Sequence, residues 1–174
     1  MKQFIIALIL IAAASCTQKK SNPNETMNDT IPAENIETPI SGKQCYLGVE
    51  GRDSVSLEIE TNNNSFKGYL FYNRFESDSS IGEIQGTISG DTVKGVYTFM
   101  SEGMISVMDK YFLVKDGQLL EGFGELTQVN ETTMAFTNPK DLVYDGFKLK
   151  ETDCTSNFIP QNGKDMYHKV KNEQ

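Results

Sequence analysis

Short runs of alternating apolar and polar residues fill the chain between Gln44 and Lys150. The clearest run is residues 54–60, SVSLEIE, in which every second residue is apolar, as in a strand with one buried and one wet face. No helical pattern long enough for a crossover lies between the runs, so consecutive strands are expected to pair antiparallel. The runs that we interpret as strands are 44–49, 54–60, 65–73, 82–88, 92–100, 104–114, 118–127, 132–137 and 143–150.

These runs predict an all-β fold, an antiparallel up-and-down β-barrel of about eight strands over residues 44–154. Glycines inside the runs would weaken a flat sheet but allow the tight bends of a barrel; they are Gly48, Gly68, Gly86, Gly95, Gly122 and Gly124. The sharpest turns, at 62–64, 89–91 and 115–117, follow alternate strands and therefore lie together at one closed end. The loops at the opposite end form a predicted mouth.

The N-terminus has the layout of a secretion signal. Residues 1–3, MKQ, precede an apolar run from Phe4 to Ala14, and residues 13–16 read AASC. The run is too short to cross a hydrocarbon core of ~30 Å as a helix. It resembles a bacterial lipoprotein signal, which implies a cleaved peptide at 1–15 and a Cys16 that is lipid-modified on its thiol and acylated (palmitate) on its amine. A plain secretory signal or a retained anchor is the alternative.

Polar segments flank the patterned region. Residues 16–43 carry no apolar period and three prolines, Pro23, Pro32 and Pro39, so we expect a flexible tether behind the lipidated cysteine. Residues 155–174 are also polar and weakly patterned. They predict a C-terminal tail, in which a short helix is left open.

Two cysteines remain besides Cys16, namely Cys45 and Cys154. They bracket the patterned region in a compartment that is oxidising, so we predict a disulfide between them; two free thiols are the alternative. A strand at 143–150 that ran antiparallel to 132–137 would end at the mouth, far from Cys45. Because the disulfide is the firmer prediction, we expect a turn near 139–143 or an irregular strand.

The charge and the histidine content of the chain exclude several classes of function. The chain has 16 Lys+Arg against 24 Asp+Glu, a formal net charge of -8, and no basic cluster that would displace counterions from nucleic acid. Its one histidine, His168, lies in the predicted tail. A histidine triad or zinc site inside the domain is therefore excluded, and we expect no catalytic residues, no metal and no cofactor.

Three segments, CYLGVEGRDSV at 45–55, GYLFYNRFESDSSIGEIQG at 68–86 and YTFMSEG at 97–103, resemble parts of small Bacteroidetes lipoproteins. The resemblance covers roughly Cys45 to Cys154. It implies a disulfide-closed β-barrel domain and nothing about activity. The architecture is also similar to lipocalin-like barrels, which is an analogy of fold alone.

Polar side chains are expected to rim the mouth, namely Asn73, Arg74, Glu76, Asp78 and Glu102. With aromatic residues beside them, they favour a non-enzymatic, lipid-anchored binding module of the cell envelope, for a small apolar ligand or an envelope protein. One alternative is an envelope glycan hydrolase that uses Glu76 or Asp78 with Glu102. Another is a purely structural lipoprotein. Whether the lumen is filled or hollow is left open.

The tether suggests a location and a modification. Residues 17–20, TQKK, carry no carboxylate, whereas surface-export tethers look acidic at this point, so we expect the periplasmic side of the outer membrane. Residues 29–31, DTI, resemble an Asp-Thr-apolar acceptor for O-glycosylation, which makes Thr30 a candidate site. A turn-forming Asp-Thr pair is the alternative.

Overall fold

The computed structural model describes residues 42–174. The predictions for the signal peptide, for lipidation of Cys16, for the tether up to residue 41 and for Thr30 lie outside the described residues. Within 42–174, no helix is both long and apolar enough to cross a bilayer.

The described chain forms ten strands and one α-helix, with a short 3-10 turn at Pro139–Asp141. The elements are β1 Gly42–Glu50, β2 Asp53–Asn62, β3 Ser65–Asn73, β4 Ser80–Ser89, β5 Thr92–Ser101, β6 Met104–Lys115, β7 Gln118–Glu121, β8 Leu126–Asn130, β9 Thr133–Phe136, β10 Lys148–Thr152 and α1 Gln161–Glu173. Strands β1 to β7 pair antiparallel in sequence, and β10 pairs antiparallel with both β7 and β1. Eight strands thus close a barrel, which confirms the predicted all-β antiparallel fold.

Between β7 and β10 the chain leaves the barrel, and here the prediction is only partly right: the run at 132–137 contains β9, but β9 is not one of the eight barrel strands. The run predicted at 118–127 ends as a barrel strand at Glu121, and β8 and β9 form a hairpin outside the wall. Strand β9 pairs with β6 in parallel, a contact between strands that are not consecutive, whereas the consecutive strands that pair do so antiparallel, as predicted. The excursion lets β10 run from the mouth back to the closed end, where Thr152 lies opposite Cys45. This resolves the conflict between strand count and disulfide.

Small residues allow the chain to fold back on itself at the excursion. A Cβ atom added at Gly146 would lie 2.2 Å from the ring of Phe123, and one added at Gly122 would lie 2.9 Å from the ring of Tyr144. Phe123 and Val143 form an isolated antiparallel bridge at the neck, the place where the excursion leaves and rejoins the barrel. The glycines of this segment therefore leave room for aromatic rings against the backbone rather than for a bend of the barrel.

Alternate residues of the barrel strands fill the lumen. The largest fully buried side chains include Leu57, Leu70, Ile84, Tyr97 and Phe112, which all belong to one core cluster. Each large aliphatic side chain that leaves water contributes about 1.5–3 kcal/mol. Close strand approach also needs glycine: a Cβ at Gly68 would lie 1.8 Å from the carbonyl oxygen of Glu58 on the next strand. The lower lumen is therefore packed rather than hollow.

The contrast predicted between a closed end and a loop-rich mouth holds only in part. At the mouth end the β1–β2 and β5–β6 connections are also two-residue turns, with positive φ at Gly51, Glu102 and Gly103. Only the segments 74–79 and 122–147 form longer connections there.

The segment predicted as a polar tail contains α1, which packs on the outer wall of the barrel. Tyr167 is fully buried and forms a second apolar cluster with Ile81 and Ile159. The polar face of the helix is tied to the wall by ion pairs, Lys171 with Glu83 and Lys164 with Glu58. The helix is thus part of the domain.

Cys45 and Cys154 lie at disulfide distance, with their Cα atoms 5.3 Å apart. This is within the ~4.4–6.8 Å range that a disulfide requires. The pair spans the seam between β1 and β10, because Cys45 pairs with Thr152 and Cys154 follows two residues later.

Candidate binding site at the mouth of the barrel

A cavity of about 170 Å³ lies in the upper lumen, above the packed core. Four strands, β3 to β6, and the 74–79 loop build it, and it is lined by Tyr72, Arg74, Asp78, Ser80, Tyr97, Phe99, Met108 and Lys110. Strand register explains why these side chains meet. Tyr72 pairs with Ser80 and Tyr97 pairs with Met108, so all four share the inward face of the wall.

A buried ion pair lies beside the cavity. Lys110 Nζ donates to Glu121 Oε1 at 2.8 Å, and their side chains are 10% and 0% exposed. The hydroxyl of Tyr72 donates to the same oxygen at 2.5 Å, and the ammonium lies 4.6 Å from the centre of the Tyr72 ring. Among the described residues, Glu121 Oε2 has no hydrogen-bond partner. Lys110 is therefore the principal counter-charge of Glu121.

A second cation lies at the rim of the cavity. Arg74 Nη1 contacts Asp53 Oδ2 at 3.1 Å, while Asp53 Oδ1 accepts from the backbone N–H of Phe75 at 2.9 Å. The backbone hydrogen bond from Phe75 and the adjacent Arg74 lower the pKa of Asp53 below its ordinary value. The guanidinium of Arg74 also lies 5.0 Å from the centre of the Phe147 ring. These contacts fix the start of the 74–79 loop.

Two tyrosines supply protonated hydroxyls beside the cavity. Burial raises the pKa of Tyr72 well above its ordinary value, and the negative charge of Glu121 raises it further. Burial likewise raises the pKa of Tyr97. The Tyr97 hydroxyl donates to the carbonyl of Leu70 at 3.0 Å, and its ring stacks on Phe99 with centroids 4.7 Å apart. Both hydroxyls are neutral donors at pH 7.

The structure brings two of the predicted mouth residues to the cavity, Arg74 and Asp78. Asn73, Glu76 and Glu102 are exposed and do not line it. Asn73 pairs with Ser54 on the outward face, and Glu102 occupies the β5–β6 turn with a φ of 52°. The carboxyl groups proposed for a hydrolase are therefore loop side chains, whereas the buried carboxylate is Glu121.

Sequence reasoning missed Lys110 and Glu121. A signal for Lys110 exists in the alternation of β6, where it occupies an inward position between Met108 and Phe112. Glu121 has a weaker signal, because residues 118–121, QLLE, place apolar side chains on both faces of the strand.

A groove of about 520 Å³ lies on the outer wall beside α1. Two of its carboxylates are already held by helix lysines, Glu58 by Lys164 and Glu83 by Lys171. For Glu83, burial opposes ionisation, but the hydrogen bonds from Lys171 and Tyr167 outweigh it and lower the pKa. These groups fasten the helix, so we regard the mouth cavity as the better candidate for a ligand site.

No protein-family model, no curated protein and no solved structure matches this chain.

Proposed function

We propose that the chain is a non-catalytic binding module of the cell envelope that holds one small molecule in the mouth cavity. The observation that carries the proposal is a cavity in which three aromatic rings and Met108 face four polar or charged side chains, with the buried Lys110–Glu121 pair beside it. Concave sites with mostly apolar walls and a few fixed polar groups are the usual form of small-molecule sites.

The buried pair supports a ligand role because it stabilises the fold less than apolar side chains in the same space would. Replacing a buried ion pair with well-packed apolar residues is often neutral or stabilising by about 1–4 kcal/mol. The rest of the lumen is packed with apolar side chains such as Leu57, Leu70 and Leu149. A charged pair beside the cavity of this core is therefore better explained by recognition than by stability.

The size of the cavity bounds the ligand. At about 170 Å³ it is close to the ~150 Å³ cavity that accommodates benzene, and smaller than the ~300–1,000 Å³ of drug-sized pockets. We therefore expect a molecule with about one ring or an equivalent short chain.

A blocked cavity tests this function. Ser80 lines the cavity, whereas Thr87 lies on the exposed, outward face of the same strand. We expect Ser80→Leu to abolish the rise in melting temperature caused by one-ring compounds, and the matched control Thr87→Leu to keep it. Equal responses in both variants, or none in the unaltered protein, would refute the cavity as a ligand site.

We propose further that lipid on Cys16 holds this module at the periplasmic side of the outer membrane. The support is the signal-like layout of residues 1–16 and the carboxylate-free segment that follows. Cys16→Ser should move the protein from the membrane to the soluble fraction. Protease added to intact cells should leave the lipidated protein uncut, and its cleavage there would reverse the proposed orientation.

A further inference from the structure

We infer that the cavity takes an uncharged molecule with one oxygen acceptor, such as a ketone or ester on an apolar ring, and that Lys110 donates to that oxygen. This identity of the ligand rests on the proposed function of the same cavity. Charge balance, donor count and wall chemistry each support it.

Charge balance argues against a charged ligand. Lys110 is balanced by Glu121 and Arg74 by Asp53, both at hydrogen-bond distance. Among the described residues, Asp78 is the remaining charged side chain of the lining, and it is exposed on the 74–79 loop, where solvent screens its charge. A carboxylate ligand would compete with Glu121 for the same ammonium group, in a lumen where buried charge is costly. An ammonium ligand would face two cations at short range. A neutral ligand meets neither penalty.

Donor count calls for an acceptor on the ligand. An ammonium group has three N–H bonds, and within the described residues Lys110 uses one of them, toward Glu121. The hydroxyl of Tyr72 is committed to Glu121, and that of Tyr97 to the carbonyl of Leu70. Lys110 is therefore the nine-tenths-buried donor with capacity left in the cavity wall.

Wall chemistry calls for an apolar body. The stacked rings of Tyr97 and Phe99 form one side of the cavity, and the thioether of Met108 lies beside them. Aromatic faces and thioether sulfur both contact rings favourably. A ring against this wall would carry its oxygen toward Lys110.

Glu121 acts as a positioning residue for Lys110. Its side chain is sealed from solvent, its Oε1 accepts from Lys110, and its Oε2 has no hydrogen-bond partner among the residues described, so its charge acts mainly on the ammonium group. Lys110 is thereby held beside Tyr72 instead of turning toward an external anion.

The test uses four compounds of nearly equal size, acetophenone, benzoate, benzylammonium and ethylbenzene, titrated into the full chain by calorimetry. We expect acetophenone to bind about 10-fold more tightly than each of the others, the value of one hydrogen bond from a charged donor. Tighter binding of benzoate or benzylammonium would overturn the inference of a neutral ligand. Equal binding of ethylbenzene would overturn the donor role of Lys110. Binding of none of the four would refute the proposed function itself.

Two variants separate chemistry from folding. The double change Lys110→Met and Glu121→Leu removes the donor without leaving an unpaired charge, so it should erase the preference for acetophenone over ethylbenzene while ethylbenzene still binds. Glu121→Gln keeps the donor but removes its counter-charge, so the ratio of benzoate to acetophenone affinity should rise. An unchanged ratio in Glu121→Gln would refute its positioning role, and a retained acetophenone preference in the double variant would refute that of Lys110.

Discussion

At the scale of residues, loss of one member of the Lys110–Glu121 pair should lower the stability of the protein strongly. Lys110→Met leaves a charged carboxylate in the lumen without its counter-ion, so we expect a loss of about 3–5 kcal/mol in the free energy of unfolding. Lys110→Met combined with Glu121→Leu removes both charges and should recover most of that loss. Urea denaturation measures all three proteins. If the double variant is as unstable as the single one, the lumen does not tolerate apolar replacement and the pair is structural.

The buried tyrosines make the protein sensitive to alkali. Burial, with a smaller contribution from Glu151, raises the pKa of Tyr46 from 10.0 to about 12. Because the folded state holds the proton more tightly, this stabilisation is complete below about pH 10 and is lost as pH rises toward 12. We expect the urea midpoint to fall between these pH values, and Tyr46→Phe to reduce the slope. An identical slope in Tyr46→Phe would show that Tyr46 does not contribute.

Only part of the candidate site could be predicted from sequence. Charged residues are almost never fully buried, so sequence reasoning places charged side chains on loops, and this was adequate for Arg74 and Asp78 at the rim. It cannot find Glu121, because the adjacent Leu119 and Leu120 leave the inward face of β7 ambiguous. The partner that makes burial possible, Lys110, lies eleven residues away on another strand. That pairing exists only once the register is known.

At the scale of elements, the excursion between β7 and β10 shows why strand ends are harder to predict than strands. Phe123 and Leu126 continue the apolar residues of the predicted strand at 118–127 beyond Glu121, so the sequence gives no reason for the strand to end there. The bond from the Gly122 N–H to the Tyr111 carbonyl is the last one that joins this run to β6, and the barrel strand ends because Phe123 then pairs with Val143 instead. These contacts join distant parts of the sequence, and alternation reports only on neighbours.

The contacts that hold helix α1 to the barrel should contribute unequally to stability. Tyr167 is fully buried against the wall, whereas the Lys171–Glu83 pair is 40% and 38% exposed. We expect Tyr167→Ala to cost about 3–5 kcal/mol, as for other buried aromatic side chains, and Lys171→Ala to cost less than about 1 kcal/mol. Thermal unfolding of both variants measures the difference. Similar losses would mean that ion pairs, rather than apolar packing, hold the helix.

At the scale of the whole molecule, barrel closure could be predicted from the sequence because it depends on few features of the chain. Even spacing of short strands and the lack of a crossover helix pattern leave few ways to bury every inward face. The position of the final strand could not be predicted from alternation alone. Alternation alone places a strand at 143–150, whereas the strand that closes the barrel is Lys148–Thr152. The requirement that Cys154 reach Cys45 indicated the closed end correctly.

Strand β10 closes the barrel against β1. The seam between β1 and β10 has register partners at only three positions, Cys45 with Thr152, Tyr46 with Glu151 and Leu47 with Lys150, whereas β1 pairs with β2 along its whole length. A disulfide between Cys45 and Cys154, 109 residues apart, would restrict the unfolded chain by up to ~4.7 kcal/mol and hold this short seam together.

We therefore expect reduction to lower the melting temperature of the unaltered protein by several degrees. The double variant Cys45→Ala with Cys154→Ala should have the melting temperature of the reduced protein, and reductant should not change it. After reduction, hydrogen exchange should show amides of β10 losing protection first, since β10 pairs with β1 and with β7 at only three positions each. Two titratable thiols in the native, air-purified protein would contradict the bond. Loss of protection spread evenly over all strands would contradict the seam as the weak point of the barrel.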